Sequence, residues 1–313
     1  MAEYPYRRNG RRYYSLDSYL KTKYNEKMYK LSLNGGFTCP NRDGTCGTGG
    51  CIFCSRGGSG DFAGDSRLSI RRQIEFQKAR LKSKYHGHSY IAYFQAFTNT
   101  YAPVEKLRAV FSEAIKDPEV RILSVATRPD CLPAETIALL SELNRIKPVW
   151  VELGLQTIHP STAQFIRRGY DLAVFDRAVS LLRAEGIDVI VHTILYLPGE
   201  TKSNMLETID YLNRMDIQGV KLQLLHVLDG TDLGDLYREH PFPLPSMEEY
   251  LDFLGVCICS LRSDIVIHRL TGDGPKSILI APLWTANKRL VLNRMAQSFK
   301  EKDVWQGKNC RFL

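Results

Sequence analysis

Met28-Tyr29-Lys30-Leu31-Ser32-Leu33 is an apolar, β-rich run. It opens into a glycine-rich loop, Gly36-Phe37-Thr38-Cys39-Pro40-Asn41-Arg42-Asp43-Gly44, followed by Gly49-Gly50-Cys51-Ile52-Phe53-Cys54. Three thiolates from such a loop, those of Cys39, Cys51 and Cys54, can hold three irons of a [4Fe–4S] cubane and leave the fourth iron open to an outside ligand. Glycines there let the backbone wrap closely around the group. Cys46 lies between the outer cysteines, and four thiolates would also suit a closed tetrahedral zinc site. The spacing C-x6-C-x4-C-x2-C has one close pair where structural zinc commonly uses two. Spacing alone leaves both metals open.

Downstream of the loop, apolar β-rich runs alternate with segments of helical period, which is the signature of parallel βαβ units. Strands are expected near Met28–Leu33, Tyr90–Gln95, Arg121–Ala126, Val149–Leu153, Asp188–His192 and Val220–Leu224. Helices are expected near Leu68–Tyr85, Val104–Ile115, Ala134–Arg145, Ser161–Ile166, Ala173–Ala184 and Lys202–Met215. Six such units make an α/β fold, a partial (β/α)6 TIM-like barrel whose chemistry gathers at the strands' C-terminal ends. Polar residues fall at those ends: Gln95, Thr98 and Asn99 after the second run, Thr127-Arg128-Pro129-Asp130 after the third, Glu152 and Gln156 at the fourth, His192 at the fifth.

Pro241, Pro243 and Pro245 mark a boundary, beyond which lie a helix near Met247–Arg262, a strand Ile265–Leu270 and a basic helix near Ala286–Lys302. The organisation read from this is a basic, aromatic N-terminal extension (1–27), a core barrel (28–245) and a small α/β C-terminal extension (246–313). The chain of 313 residues is 44% hydrophobic and 24% charged, enough apolar material for a sizeable core. Its net charge is +8, and residues 1–30 hold eight Lys or Arg against three acids. Tyr4, Tyr6, Tyr13, Tyr14, Tyr19 and Tyr24 are interleaved with these charges. Basic groups neutralise phosphates and aromatic faces stack on bases, so the segment reads either as a nucleic-acid surface or as a solvated extension. No apolar stretch follows the basic start and no run is long enough to span a bilayer, so a cytoplasmic protein with no membrane partner is expected. Eight cysteines without an export signal suit metal binding better than a disulfide framework. The spacing of Cys131, Cys257, Cys259 and Cys310 is too scattered to read as a second cluster.

From Tyr29 to Leu233 these residues resemble the radical S-adenosylmethionine (SAM) superfamily. More closely, Gly36 to Thr45, Asn99-Thr100-Tyr101-Ala102-Pro103 and His268-Arg269-Leu270-Thr271-Gly272-Asp273 resemble the YtqA/YhcC-like family. The resemblance implies that Cys39, Cys51 and Cys54 bind a [4Fe–4S] cluster while SAM chelates the open iron. Cys46 is an extra inside a first gap widened to eleven residues. Phe53 takes the place of the aromatic against adenine. Gln95, Phe97 and Asn99 replace the usual Gly-Gly-Glu, which leaves the SAM amine to backbone carbonyls or Gln95. Glu152 to Gln156 with Arg167-Arg168-Gly169-Tyr170 resembles the fourth-strand segment of coproporphyrinogen-dehydrogenase and Elongator-like enzymes. By that match Gln156 contacts the ribose and Arg168 the carboxylate of SAM. Thr127, Glu152 and His192, the last standing where some relatives carry an acid, complete the expected cofactor pocket.

The same resemblance implies a MnmL-type tRNA wobble-uridine modification enzyme, which converts 5-carboxymethylaminomethyluridine to 5-aminomethyluridine. Its partners would be tRNA, an electron donor such as flavodoxin or ferredoxin, and a tRNA methyltransferase acting on the product. Arg42, Arg128 and Arg269 are candidates, by residue type, for pairing a substrate carboxylate. Two competing readings are a radical SAM enzyme of a tetrapyrrole or small metabolite, and a non-catalytic zinc or iron–sulfur RNA-binding protein.

Overall fold

The structure, a computed structural model, describes residues 10–83, 85, 87–272 and 274–311. Strands β1 (Tyr29–Leu33), β2 (Tyr90–Phe94), β3 (Val120–Thr127), β4 (Val149–Gln156), β5 (Asp188–Leu195) and β6 (Gly219–Leu224) lie side by side in chain order, all parallel. Parallel strands need crossovers. Here they are α2 (Ile70–Leu81), α3 (Val104–Lys116), α4 (Ala134–Asn144), the pair α5 (Pro160–Phe165) and α6 (Leu172–Ala184), and α7 (Lys202–Asn213). Each begins where its sequence permits. Ser69 caps α2 by accepting from the Arg72 amide, and Thr201 with Asn204 forms a capping box on α7.

The sheet has a seventh strand, one more than the six units expected. After α9 (Met247–Ser260), β8 (Val266–Arg269) pairs parallel to β6 in the register Gly219↔Val266. Its four residues follow a proline-rich break and a helix, so in sequence the run looks like part of the C-terminal extension. The result is a curled, seven-stranded parallel half-barrel. A small antiparallel pair, β7 (Val227–Leu228) with β9 (Leu279–Ala281), flanks the short helix α8 (Asp232–Glu239). Basic helix α10 (Lys288–Glu301) buries Val291, Met295 and Phe299 and keeps its charges on the wet side, pairing Arg294 with Glu248 and Lys302 with Asp252.

The barrel interior is layered. At the N-terminal ends of the strands, Met28, Ile91, Ile122, Trp150, Ile190 and Val266 form an apolar layer. Helix α1 (Leu16–Tyr24) closes it by burying Tyr19 and Leu20, with Tyr14 and Tyr24 packed beside them. Tyr13 meets Phe299 edge-on at 6.4 Å between ring centroids. These four tyrosines of the basic segment are thus packing residues at the end of the barrel opposite the cysteine loop. Arg7, Arg8, Tyr4 and Tyr6, together with Asp273, lie outside the described residues. Among the described residues no helix is long and apolar enough to cross a membrane.

Candidate active site

A cavity of ≈ 470 Å³ opens at the C-terminal mouth of the barrel, and the cysteine loop forms one wall of it. Cys39, Cys51 and Cys54 all line it. Cys46 does not. It is exposed on the far side of the loop, in a separate hollow with Pro40, Tyr101 and Pro133. The four cysteines therefore do not converge as one tetrahedral zinc site would require, and among the described residues no three Cys, His, Asp or Glu side chains surround a single-ion position. Three thiols on one wall of an open cavity fit a cluster that takes each sulfur on a different iron. Burial, with Cys54 next to it, pushes the Cys51 thiol up to about 12.

The loop is held in place by polar side chains and tight glycines. Asn41 Nδ2 donates to the Arg167 carbonyl at 2.7 Å and to Cys51 Sγ at 3.5 Å. Arg42 donates to the carbonyls of Cys54 and Ser55, and Gln95 Nε2 donates to the Ser59 carbonyl at 2.7 Å. A Cβ on Gly60 would sit 2.4 Å from the Ala96 Cβ, so only glycine lets this loop lie against the end of β2. Ser59, Phe97 and Gln156, all cavity residues, carry left-handed backbone at φ 61°, 57° and 60°. Such strain collects where a scaffold must aim groups at a ligand.

Between the loop and the strand ends, Arg128 forks onto Asp130 (Nε 2.9 Å, Nη2 2.6 Å) and donates Nη1 to the Arg168 carbonyl at 2.9 Å. Arg168 spends Nη1 on the Leu155 and Thr157 carbonyls and Nε on that of Tyr170. Both guanidinium groups lie about the Tyr170 ring, at 5.0 and 4.9 Å from its centroid. Arg128 and Arg168 thus brace the turn that supports the cysteine loop.

The middle layer of the barrel forms the cavity floor. Glu152, 1% exposed, accepts from Lys30 Nζ at 2.6 Å, Ser124 Oγ at 2.7 Å and His192 Nε2 at 2.7 Å, and is also paired with Lys221. Burial pushes the Glu152 carboxyl up, but Lys221, Lys30 and His192 outweigh it and hold the group well below the usual carboxylate range. Burial, then the Lys221 charge, pushes His192 down to about 4, so at neutral pH its imidazole is neutral and donates from Nε2 to the ionised Glu152.

Of the expected site residues, all but Asn99 line this one cavity. Asn99 is 0% exposed and corrects the expectation. Its Nδ2 ties the Phe94 carbonyl to that of Ala126, bracing the ends of β2 and β3 behind the wall. An asparagine after a strand reads as a ligand in sequence, but a buried carboxamide is equally suited to stitching two adjacent strand ends. Sequence reading missed Lys30, Tyr93 and Lys221. The two lysines left a signal as polar residues alternating with apolar ones inside Tyr29–Leu33 and Val220–Leu224, which marks a polar barrel interior, whereas Tyr93 sits in the apolar run Tyr90–Phe94 and left none.

Residues 41–212 match the family model described as the Radical SAM superfamily, and residues 217–301 match the Radical SAM C-terminal domain. The chain belongs to the radical SAM superfamily. It is a radical SAM enzyme, and the cofactors of this superfamily are a [4Fe–4S] cluster and SAM. It is 41% identical over 305 residues to the uncharacterized protein YtqA of Bacillus subtilis, covering 97% of this chain and 95% of that one. It is 24% identical over 194 residues to a protein named tRNA uridine(34) acetyltransferase of Methanocaldococcus jannaschii, covering 61% of this chain and 34% of that one. In fold it is similar to the archaeal Elp3 of Methanocaldococcus infernus (TM-score 0.69, 16% identity), covering 89% of this chain and 64% of that one.

Proposed function

We propose that this radical SAM enzyme acts on wobble uridine in tRNA and removes the glycine-derived portion of 5-carboxymethylaminomethyluridine to leave 5-aminomethyluridine. The observation that carries the substrate class is the alignment of 61% of the chain with a protein named for acting on tRNA uridine(34). In this reading Cys39, Cys51 and Cys54 hold the [4Fe–4S] cluster, and Phe53, Gln95, Thr127 and Gln156 surround SAM. When bound, these cofactors would supply a 5′-deoxyadenosyl radical that takes a hydrogen atom from the glycine-derived portion. Loss of one further electron would leave a C=N bond that water hydrolyses to the free amine and glyoxylate, SAM being consumed as the net two-electron oxidant.

The chain's own residues do the positioning. Asn41, Arg42 and Gln95 fix the cysteine loop through the hydrogen bonds described above. Arg128 and Arg168 support it from below, and Arg128, forked onto Asp130, offers no open fork to a substrate carboxylate. His192 and Glu152 form the neutral–anionic pair at the floor. The wobble base enters extruded from its stack, modified arm first. An electron donor such as flavodoxin or ferredoxin would supply the electron the cluster needs, and a tRNA methyltransferase would take the product.

The test is SAM cleavage by the anaerobically reconstituted protein, with and without tRNA from a deletion strain. The expected result is 5′-deoxyadenosine whose yield rises with that tRNA, together with loss of its carboxymethylaminomethyl nucleoside. Cleavage indifferent to tRNA, or deletion-strain tRNA without build-up of that nucleoside, refutes the substrate.

A further inference from the structure

A large substrate that reacts at the mouth of the barrel must be gripped beside that mouth. The basic N-terminal segment lies at the other end, where Arg11 and Lys21 both pair with Asp17. The loop Ser55-Arg56-Gly57-Gly58-Ser59-Gly60-Asp61-Phe62 is placed differently. Ser55, Gly58, Ser59, Asp61 and Phe62 line the cavity, and exposed Arg56 stands among them on the rim. The chain then returns across the end of β1, where the Gly64 amide donates to the Ser32 carbonyl at 2.9 Å. Gln73 fastens the first turn of α2 at the same level, donating to the Asn34 and Leu68 carbonyls and accepting from the Asn34 amide. As the crossover between parallel β1 and β2, α2 runs from there down the outer flank toward the closed end.

The acids along this rim and flank are engaged. Arg67 forks onto Asp65 and Arg71 bonds Glu75 at 3.0 Å. Asp61 accepts from Ser55 Oγ at 3.1 and 3.0 Å, and Glu113 of α3 accepts from the Arg71 amide at 2.9 Å. Among the described residues the side chains of Arg56, Arg72 and Arg80 have no carboxylate partner. Each guanidinium is open to a phosphate, which it can take with two parallel N–H donors.

Two exposed rings lie on the same path. Arg72, Phe76 and Arg80 recur every four residues, so they share one stripe of α2. At 1.5 Å per residue the stripe is about 12 Å long. Phe76 is 57% exposed, with the Arg80 guanidinium 6.0 Å from its ring centroid, and Phe62 is 50% exposed at the rim. Rings left half in water add little to the core, and their free faces suit stacking on bases.

We propose that this rim and flank form an RNA-binding surface, in which Arg56, Arg72 and Arg80 take phosphates of a single-stranded loop while Phe62 and Phe76 take its bases. The identity of the RNA rests on the function proposed above, in which a wobble base leaves its stack to enter the cavity. Extrusion strips its neighbour of a stacking partner, and Phe62 at the rim supplies one. A duplex gains nothing from the rings, because its bases are stacked on one another. An acidic redox protein could also meet the arginines. The rings sit on the path into the cavity, where a substrate and not a reductant must enter, and that favours RNA.

The experiment uses the full, cluster-loaded chain and fluorescence anisotropy. The probes are a labelled anticodon stem-loop carrying 5-carboxymethylaminomethyluridine and a blunt duplex with the same number of phosphates. Wild type is expected to bind the stem-loop at least about ten-fold more tightly than the duplex, the scale of one stacked base. Phe62→Ala should lose about ten-fold on the stem-loop and nothing on the duplex, and Phe62→Tyr should keep the preference. Arg72→Gln with Arg80→Gln should flatten the slope of log affinity against log salt by about 1.4, at about 0.7 per phosphate contact. Arg72→Lys with Arg80→Lys should restore that slope. All three positions are exposed, and an unchanged melting temperature and iron content report an intact variant. Equal binding of stem-loop and duplex by wild type, or Phe62→Ala and paired Gln variants that bind as wild type does, overturns the surface. Variants that bind RNA normally but take electrons from flavodoxin more slowly overturn it too, and give this face to the reductant. Stem-loop binding that the variants lose, with no turnover by wild type, sinks the proposed reaction and leaves the surface standing. Turnover by wild type with variant affinities unchanged sinks the surface and leaves the reaction standing.

Discussion

Replacing Glu152 by Gln keeps the shape of the floor and removes its one negative charge. Lys30 and Lys221, both now bonded to the same carboxylate, would then face each other across a neutral amide in a layer where Lys221 is nearly inaccessible. Breaking a buried ion pair by neutralising one partner costs about 3–5 kcal/mol, because the remaining charge stays buried without compensation. In a chain of this size each kcal/mol lowers the melting temperature by about 2 °C, so a fall of roughly 6–10 °C is expected. The assay is urea or thermal unfolding of the apoprotein followed by circular dichroism. Sign and pH window follow from the depressed Glu152 carboxyl. Its stabilisation is complete above the unfolded value of about 4.3 and is lost as pH falls through the lower folded value. The gap between wild type and Glu152→Gln should therefore be full at pH 7 and close only below about pH 4. Adding Lys221→Met to Glu152→Gln removes one of the stranded cations, so the double variant should recover part of the loss. A loss under about 1 kcal/mol, the scale of a surface pair, or a double variant worse than the sum of the singles, would refute the network as a buried charge balance.

Tyr19→Ala should cost about 3–5 kcal/mol, as for other large buried aromatics, while tRNA affinity is unchanged. Weakened tRNA binding at full stability would return Tyr19 to a nucleic-acid surface. Asn41→Ala deletes the N–H···S bond to Cys51, and since such bonds favour the reduced cluster, an EPR-monitored redox titration should show a more negative potential. An unchanged potential in a protein with full iron content would count against that bond. Gly60→Ala drives a Cβ into Ala96 and should lower the iron bound per chain after reconstitution, with little change in far-UV circular dichroism. Full iron loading in that variant would show that the loop does not need its close approach to β2.

The fold was legible because its elements obey strong local rules. Val149–Gln156 and Asp188–Leu195 are mostly apolar runs interrupted by single polar residues such as Glu152 and His192, and Pro103 and Pro133 sit at helix starts as expected. The cysteine wall was legible for a different reason, since all three thiols come from one loop and need no distant partner. The floor was harder. Glu152, Lys30 and Lys221 are 122 and 69 residues apart, and only barrel curvature brings them together. In sequence each lysine looks like a lapse in an apolar strand. The N-terminal tyrosines failed as a signal because the same residues suit base stacking and core packing, and only the location of α1 at the closed end of the barrel decides between them. The seventh strand was visible as a run but not as a barrel member, because pairing partners are not encoded in four residues.

The way the segment before α1 is fastened bears on how the molecule is made. The Ile267 amide donates to the Tyr14 carbonyl at 2.7 Å, the Gln306 amide to that of Arg12 at 3.0 Å, and the Tyr14 amide to Gln306 Oε1 at 2.8 Å. The segment before α1 is thus anchored to residues made roughly 250 to 290 positions later. The roughly 250 residues in between take on the order of 12–50 s to synthesise. During that interval the layer containing Trp150 and Ile190 has no lid. The nascent half-barrel therefore presents an open apolar end to chaperones until Ile267 and Gln306 have emerged, and their arrival, rather than that of the cysteine loop, is the event that seals it.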